Sequence, residues 1–390
     1  MTTLFVRSGR EIPVLGFHPW VFSGALEKVP EGLSSGDPVT LATAGGQFLA
    51  RGYFNSYSQI AVRIWSWDPE EEVDGEFFVR RVKNALAFRQ SLFGPETDAY
   101  RLVNAESDLL PGLVVDRYAG VLVVQFHTQG ILRHREAILA ALSKVVRPTG
   151  IWERSESASR KVEGLESKTG LVSGEVPDRV AIRENGLSFL VDVMGGQKTG
   201  FFLDQRENRQ AIMHHARGGR VLNAFSYTGA FGVYALAGGA AHVVNVDSSA
   251  PALALARENA EANGFSPEQS SFVDMDVKKY LASSPGTFDL IILDPPAFIK
   301  DRKKKRDGLM GYRRVNEAAL SLLSPGGVLV TCSCSGHLSE PEFRHVVMEA
   351  AARARRPLQF LKSTTHAPDH LELLPFTEGS YLKALFLRAL

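Results

Sequence analysis

The chain has 390 residues, 44% apolar and 22% charged; this excludes a disordered protein and leaves room for two or three domains. A net charge of +1 excludes a global basic field, so any nucleic-acid contact must come from a local patch. No apolar run approaches the length of a membrane span, and the segment starting Met1-Thr2-Thr3-Leu4-Phe5 lacks the basic head and long apolar stretch of a secretory signal, so no membrane partner is expected.

Residues 1–70 are rich in Gly, Pro, Ser and aromatics. Short alternating runs (Pro38 to Leu41, Ile60 to Ile64) lie between turn signals at Gly9-Arg10, Ser35-Gly36-Asp37-Pro38, Gly45-Gly46 and Asn55-Ser56. That spacing predicts a small antiparallel barrel or sandwich, with Trp20 and Phe22 in its core. The acidic turn Trp67-Asp68-Pro69-Glu70-Glu71-Glu72 opens a second unit, residues 71–185. It holds a helix from Phe77 to Leu92 with Phe78, Val82, Leu86 and Phe88 at helical spacing, and strands over Gly112 to Tyr118 and Val121 to Phe126. A helix from Ile131 to Val145 and a strand from Gly150 to Arg154 complete it. This small α+β domain shows no catalytic cluster. Over residues 186–390 strands alternate with helices: Val221 to Asn223, Val243 to Asp247, Phe272 to Asp274, Leu290 to Asp294 and Val328 to Thr331. The fold class is α/β, with a doubly wound parallel sheet at the C-terminus.

Ligands of such sheets bind where the strands end. A nucleotide-like cofactor needs a Gly-bearing turn, a helix start for an anionic group, and a carboxylate ending the second strand to take ribose hydroxyls. The run Asn223, Phe225, Tyr227, Thr228 and Gly229 supplies the turn, and Asp247 follows at close to the ~20-residue spacing of such units. The bulk of Phe225 and Tyr227 and the missing glycines argue against a dinucleotide pyrophosphate, and for a smaller ligand. Asp276, past the third strand, is either an adenine contact or a helix cap.

The fourth strand ends in Asp294-Pro295-Pro296; the prolines cannot continue a ladder and leave the Asp at the edge. Phe298 offers a ring for a base to stack on. Lys300, Arg302, Lys303, Lys304, Lys305 and Arg306 follow at once, with Arg313 and Arg314 beyond, against Asp301 and Asp307. This patch suits phosphates, so a nucleic-acid contact is expected there. The 2 cysteines, Cys332 and Cys334, stand two apart on one strand, poorly placed for a disulfide. The chain therefore reads as a reduced, cytoplasmic protein. Two cysteines without ordered histidines fall short of a zinc set, and no metal is expected. Cys334, at the strand end, suits a thiolate nucleophile if a nearby group lowers its pKa. With Asp247 and the Gly turn, the pattern implies methyl transfer from S-adenosylmethionine. A thiolate adding to carbon-6 of cytosine activates carbon-5, and Asp294 suits the acid at nitrogen-3.

Together these residues resemble the bacterial 23S ribosomal RNA cytosine-5 methyltransferases with an N-terminal PUA domain. The likeness rests on Asn104 to Tyr118, Gly196 to Arg206, Asn223 to Gly229, Asp294 to Phe298 and Ser333-Cys334-Ser335. It implies a PUA-like RNA-binding domain at 1–70 and a class I (Rossmann-like) methyltransferase domain at 186–390. It also implies cofactor contacts at Lys198, Thr199 and Phe201, and Cys334 as nucleophile. Cys332 is extra to the pattern. Related enzymes can carry a second cysteine after the Asp-Pro; Pro296 stands there instead, so the base for the carbon-5 proton is unassigned. Rival readings are methylation of an exocyclic amine of guanine or adenine, which needs no cysteine, and a non-catalytic RNA-binding protein. A nicotinamide oxidoreductase is more remote. Oligomeric state, a homodimer included, is open.

Overall fold

The computed structural model describes residues 1–156, 158–284 and 286–390. Contacts divide it into two compact units. The first comprises Met1–Ile182, Val191–Phe201 and Pro368–Gly379; the second comprises Arg183–Leu190, Phe202–Ala367 and Ser380–Leu390. The sequence pattern groups residues 191–201 and 368–379 with the C-terminal domain. Their polar side chains tie them to the first unit instead: Thr199 bonds to Asp116, and Asp369 accepts from the Arg101 amide.

In the first unit one sheet runs in the order Thr2–Val6, Pro38–Thr43, Phe48–Phe54, Ile60–Ser66, Trp20–Phe22. It departs from the antiparallel expectation at one pair, since Thr2–Val6 and Pro38–Thr43 run parallel. The long connection between them lets the chain re-enter in the same direction. Val6, Val21, Val39, Leu41, Val62 and Ile64 fill its core. Phe22 does not join them and is 46% exposed; strand alternation turns Val21 inward and Phe22 outward. Trp20 is half-buried, with its indole N–H donating to Glu106 at 2.8 Å.

The second sheet of this unit has the order Lys168–Gly174, Gly150–Ser155, Val121–Phe126, Leu113–Tyr118, Ala99–Asn104. Helix Gly75–Leu92 starts where the Asp74 carboxylate accepts from the Phe77 amide. Phe78, Val82, Ala85 and Arg89 share its buried face. Phe88 is out of that phase and exposed. The helix expected over Ile131 to Val145 is broken at His134 into Gln129–Arg133 and Arg135–Val146, where the His134 ring packs on Trp65 and Phe78. Tyr53 and Trp65 of the first sheet share a core with Phe77 and Phe78, so the chain changes sheet near residue 70 without a gap in packing.

The second unit is built on β1 (Arg220–Ala224), β2 (His242–Asp247), β3 (Ser270–Asp274), β4 (Phe288–Leu293), β5 (Leu323–Ser333), β6 (Leu358–Thr364) and β7 (Lys383–Ala389). Among the described residues they form one sheet, ordered β3-β2-β1-β4-β5-β7-β6. Strands β1 to β5 are parallel, as the alternating pattern predicts. Strand β7 is antiparallel to β5 and β6, so the sheet is mixed. No α-helix separates β6 from β7, and such a connection returns the chain antiparallel. The helices are α1 (Arg206–Ala216), α2 (Ala230–Ala237), α3 (Ala250–Ala262), α4 (Val277–Ser283), α5 (Lys305–Ser321) and α6 (Glu340–Ala354). Tyr312 and Val315 of α5 and Phe343 and Val347 of α6 cover Leu222, Ile291, Leu293 and Leu329 of the sheet, which makes the central strands uniformly apolar. No helix among the described residues is long and apolar enough to cross a membrane.

Candidate active site

The register aligns the carboxyl ends of the central strands. Ala224 of β1 faces Leu293 of β4, and Leu293 faces Thr331 of β5. Phe225, Asp294 and, beyond the longer β5, Cys334 therefore leave the sheet side by side.

At the β1 end the backbone turns sharply. Phe225, Tyr227 and Gly229 all have positive φ, at 61°, 47° and 76°. Gly229 is required there, because a Cβ would lie 2.7 Å from that of Ala256. The Asp247 carboxylate ending β2 accepts from the amides of Tyr227 at 2.8 Å and Ser249 at 3.0 Å. It thus fixes the turn while remaining half-buried. The hydroxyls of Ser226 and Thr228 are buried and have no hydrogen-bond partner among the described residues. Helix α2 begins at Gly229 with no side chain capping its first amides. Asn223 differs from expectation: it is 1% exposed and its amide bonds to Asn245 inside the sheet. Asp276 caps α4 by accepting from the Lys279 amide at 3.1 Å and is exposed, the cap alternative of the two readings.

At the β4 and β5 ends the Cys334 thiol lies 3.9 Å from the Pro295 carbonyl oxygen, so it rests on the Asp-Pro-Pro loop. Cys334 is half-buried, whereas Cys332 is 0% exposed. Burial, then the Asp294 carboxylate, push the Cys332 thiol far up, so it is an inert neutral group. The Asp294 carboxyl accepts from the Gln205 amide at 3.0 Å. Burial first, and the Asp204 carboxylate second, push it up to about 7 against the pull of Arg209 and Gln205. Asp204 is itself held by the Tyr381 hydroxyl at 2.8 Å. Tyr312 of α5 reaches under the cysteine loop, its hydroxyl 2.9 Å from both Ser333 Oγ and Ser335 Oγ.

Other expected residues have different surroundings. Phe298 is half-buried; its ring meets Tyr312 at 4.8 Å, and the Lys278 ammonium lies 5.5 Å from its centroid. Lys300, Arg302, Lys303, Lys304 and Arg306 are exposed. Lys305 is not free for a substrate, because its ammonium pairs with Glu342 at 2.6 Å. Lys198, Thr199 and Phe201 belong to the first unit. The Thr199 hydroxyl donates to Asp116 at 2.6 Å and contacts the Tyr118 hydroxyl at 2.8 Å, so its role there is to hold the loop. Phe201 is buried, and Lys198 is exposed at φ 55°. Spacing could not have revealed Asp204, Gln205, Tyr312 or Lys383, which reach the edge from neighbouring elements; Asp204 and Gln205 lie within the Gly196 to Arg206 likeness without a role assigned to them, and Tyr312 and Lys383 lie in none of the segments that carry it.

The family profile of S-adenosylmethionine-dependent methyltransferases matches residues 107–388, and that of PUA-like domains matches residues 4–67. The chain is 45% identical to ribosomal RNA large subunit methyltransferase I of Tolumonas auensis, over 100% of both chains. It is 46% identical to the protein of the same name from Aeromonas hydrophila subsp. hydrophila, over 99% of both. A candidate methyltransferase solved with S-adenosylhomocysteine superposes with a TM-score of 0.86 and 25% identity, over 100% of both chains. The chain belongs to the S-adenosylmethionine-dependent methyltransferase family.

The residues present fit that cofactor. A methyltransferase of this fold must take two ribose hydroxyls and an amino-acid carboxylate at the first turn, and Asp247, the uncapped α2 and the unpartnered Ser226 and Thr228 hydroxyls offer matching groups. Asp247→Ala is expected to weaken S-adenosylmethionine binding by roughly 10–100-fold, the worth of hydrogen bonds to a charged group. Titration calorimetry checks this, and an unchanged Kd removes Asp247 from the cofactor site.

Proposed function

We propose that the methyltransferase forms 5-methylcytosine in large-subunit ribosomal RNA through a transient bond between Cys334 and the base. That the relatives are ribosomal RNA large subunit methyltransferases supports the RNA substrate. The observation that carries the chemistry is the Cys334 thiol seated against the loop that begins with Asp294. In this reading the thiolate bonds to carbon-6 while the Asp294 proton moves to ring nitrogen-3, leaving an electron-rich carbon-5. When bound, S-adenosylmethionine supplies a methyl group on a positively charged sulfur. After carbon-5 is methylated, loss of its proton to a base restores the ring double bond and expels the thiolate. Nitrogen-3 then returns its proton to Asp294.

Residues 1–70 serve as the RNA-binding PUA-like domain, 71–185 as the central domain and 186–390 as the methyltransferase domain. For Lys198, Thr199 and Phe201 a cofactor role rests on the family resemblance alone, and S-adenosylmethionine binding by their Ala variants tests it. The exposed Lys300, Arg302, Lys303, Lys304 and Arg306 take backbone phosphates and Phe298 a base. The test is methylation of unmodified large-subunit RNA by the purified chain, followed by digestion to nucleosides and mass analysis. 5-Methylcytidine is the expected product. A methylated amine of guanosine or adenosine would overturn the cysteine chemistry.

A further inference from the structure

A thiol at its ordinary pKa is only a few per cent ionised at neutral pH, so a cysteine-adduct reaction needs a group that favours the thiolate. Lys383 is placed for it. It opens β7 directly opposite Ser333, the residue before Cys334. It is 8% exposed, and its ammonium donates to the carbonyl of Ser335, the residue after Cys334, at 2.8 Å. The backbone of Lys383 thus pairs beside the residue before Cys334, and its ammonium is anchored on the residue after it. Among the described residues no carboxylate lies within ion-pair distance of it. A buried cation with no carboxylate in direct contact is costly, and a thiolate at Cys334 supplies a nearby negative charge.

We propose that the Lys383 ammonium is the positioning residue that holds Cys334 as a thiolate; this rests on the cysteine-adduct reading above. Asp294, at the same edge, opposes a thiolate only as it ionises, at a pKa of about 7; the other groups facing this loop do not compete. Tyr312, from α5, is pushed up by burial and stays neutral. Cys332, on the same strand, is pushed up further. Glu342, at the start of α6, is held at about 2 by its bonds to Lys305 and Ser339 and stays anionic, which favours the ammonium. Burial lowers Lys383 to about 8, and the neighbouring Cys334 and Glu342 oppose it. Near neutral pH most of it still carries its proton. The proton that leaves the thiol passes to solvent or to the neutral amine fraction, giving the ammonium–thiolate pair.

The test is the pH profile of Cys334 alkylation by iodoacetamide in the full chain, without RNA or cofactor, read by peptide mass mapping. Buried Cys332 serves as the unreactive reference. The wild-type inflection is expected below the ~8.5 of a free cysteine. Lys383→Met is expected to raise it by at least one unit, slowing alkylation at pH 7 about tenfold per unit. Lys383→Gln, which keeps a donor for the Ser335 carbonyl, is expected to follow Lys383→Met, and Lys383→Arg to stay near wild type. An unchanged inflection in Lys383→Met overturns the proposal. So does a low inflection in Lys383→Gln, which would make the role one of loop geometry alone. Thermal melts of the Met and Gln variants separate either result from misfolding. Because the readout needs no methyl transfer, a different RNA product would sink the cytosine reading and leave this profile interpretable.

Discussion

Cys334→Ala is expected to lower methyl transfer to RNA by roughly 10⁴-fold or more while leaving the fold and cofactor binding intact. Removal of a covalent nucleophile leaves only binding and orientation, and single deletions of such groups cost that order or more. The side chain is half-buried and its thiol approaches the Pro295 carbonyl at 3.9 Å, so truncation removes one sulfur atom from a loop that the backbone holds. Cys332→Ala has the opposite signature. That side chain is 0% exposed within β5, so its loss costs about 1 kcal/mol of stability by cavity formation, with kcat near wild type. Kinetics with labelled cofactor and melting curves on both variants separate the two. Turnover retained in Cys334→Ala would leave the amine-methylating reading in its place, since that chemistry needs no thiol.

The contrast between these cysteines shows what the chain disclosed before folding. Strands over Val221 to Asn223, Val243 to Asp247 and Leu290 to Asp294 were legible because buried parallel strands are apolar throughout and end abruptly. The same abruptness marked Asp247, Asp294 and Cys334 as edge residues. Asn223 was read as a ligand because a polar residue at the end of an apolar run looks functional; its side-chain partner, Asn245, lies on the neighbouring strand, and lateral pairing has no local signature. Phe22 was assigned to a core by type and Phe88 by an approximate helical spacing, whereas strand alternation and the actual helical phase turn them to solvent. The antiparallel β7 was invisible for a related reason. Its sequence is as apolar as a parallel strand, and direction depends on the connection before it. Lys383 sits on that strand, so its approach to Cys334 could not be read without the register.

Asp294→Asn is expected to reduce kcat/KM by about 10²-fold and to abolish the alkaline limb of its pH profile. The amide can still hydrogen-bond to nitrogen-3 but cannot deliver a proton, and general-acid loss costs on the order of 10²–10⁴. In the wild type the acid form of Asp294 is the competent one, and burial beside Asp204 holds its pKa at about 7. The profile of kcat/KM, which reports the free enzyme, should therefore fall above pH 7. The stability signature has a definite sign. A carboxyl whose folded pKa is raised from 3.8 to about 7 binds more protons folded than unfolded between those values. Its contribution to stability is full below the unfolded pKa and is lost as pH rises through the folded one. The Asn variant has no such titration, so its melting temperature should gain on wild type between pH 4 and 7 and hold that lead above. Melting curves across that window check the environment of the carboxyl without any substrate. A variant that keeps the alkaline limb but shows the stability gain would confine Asp294 to structure and pass the acid role to another group at the same edge.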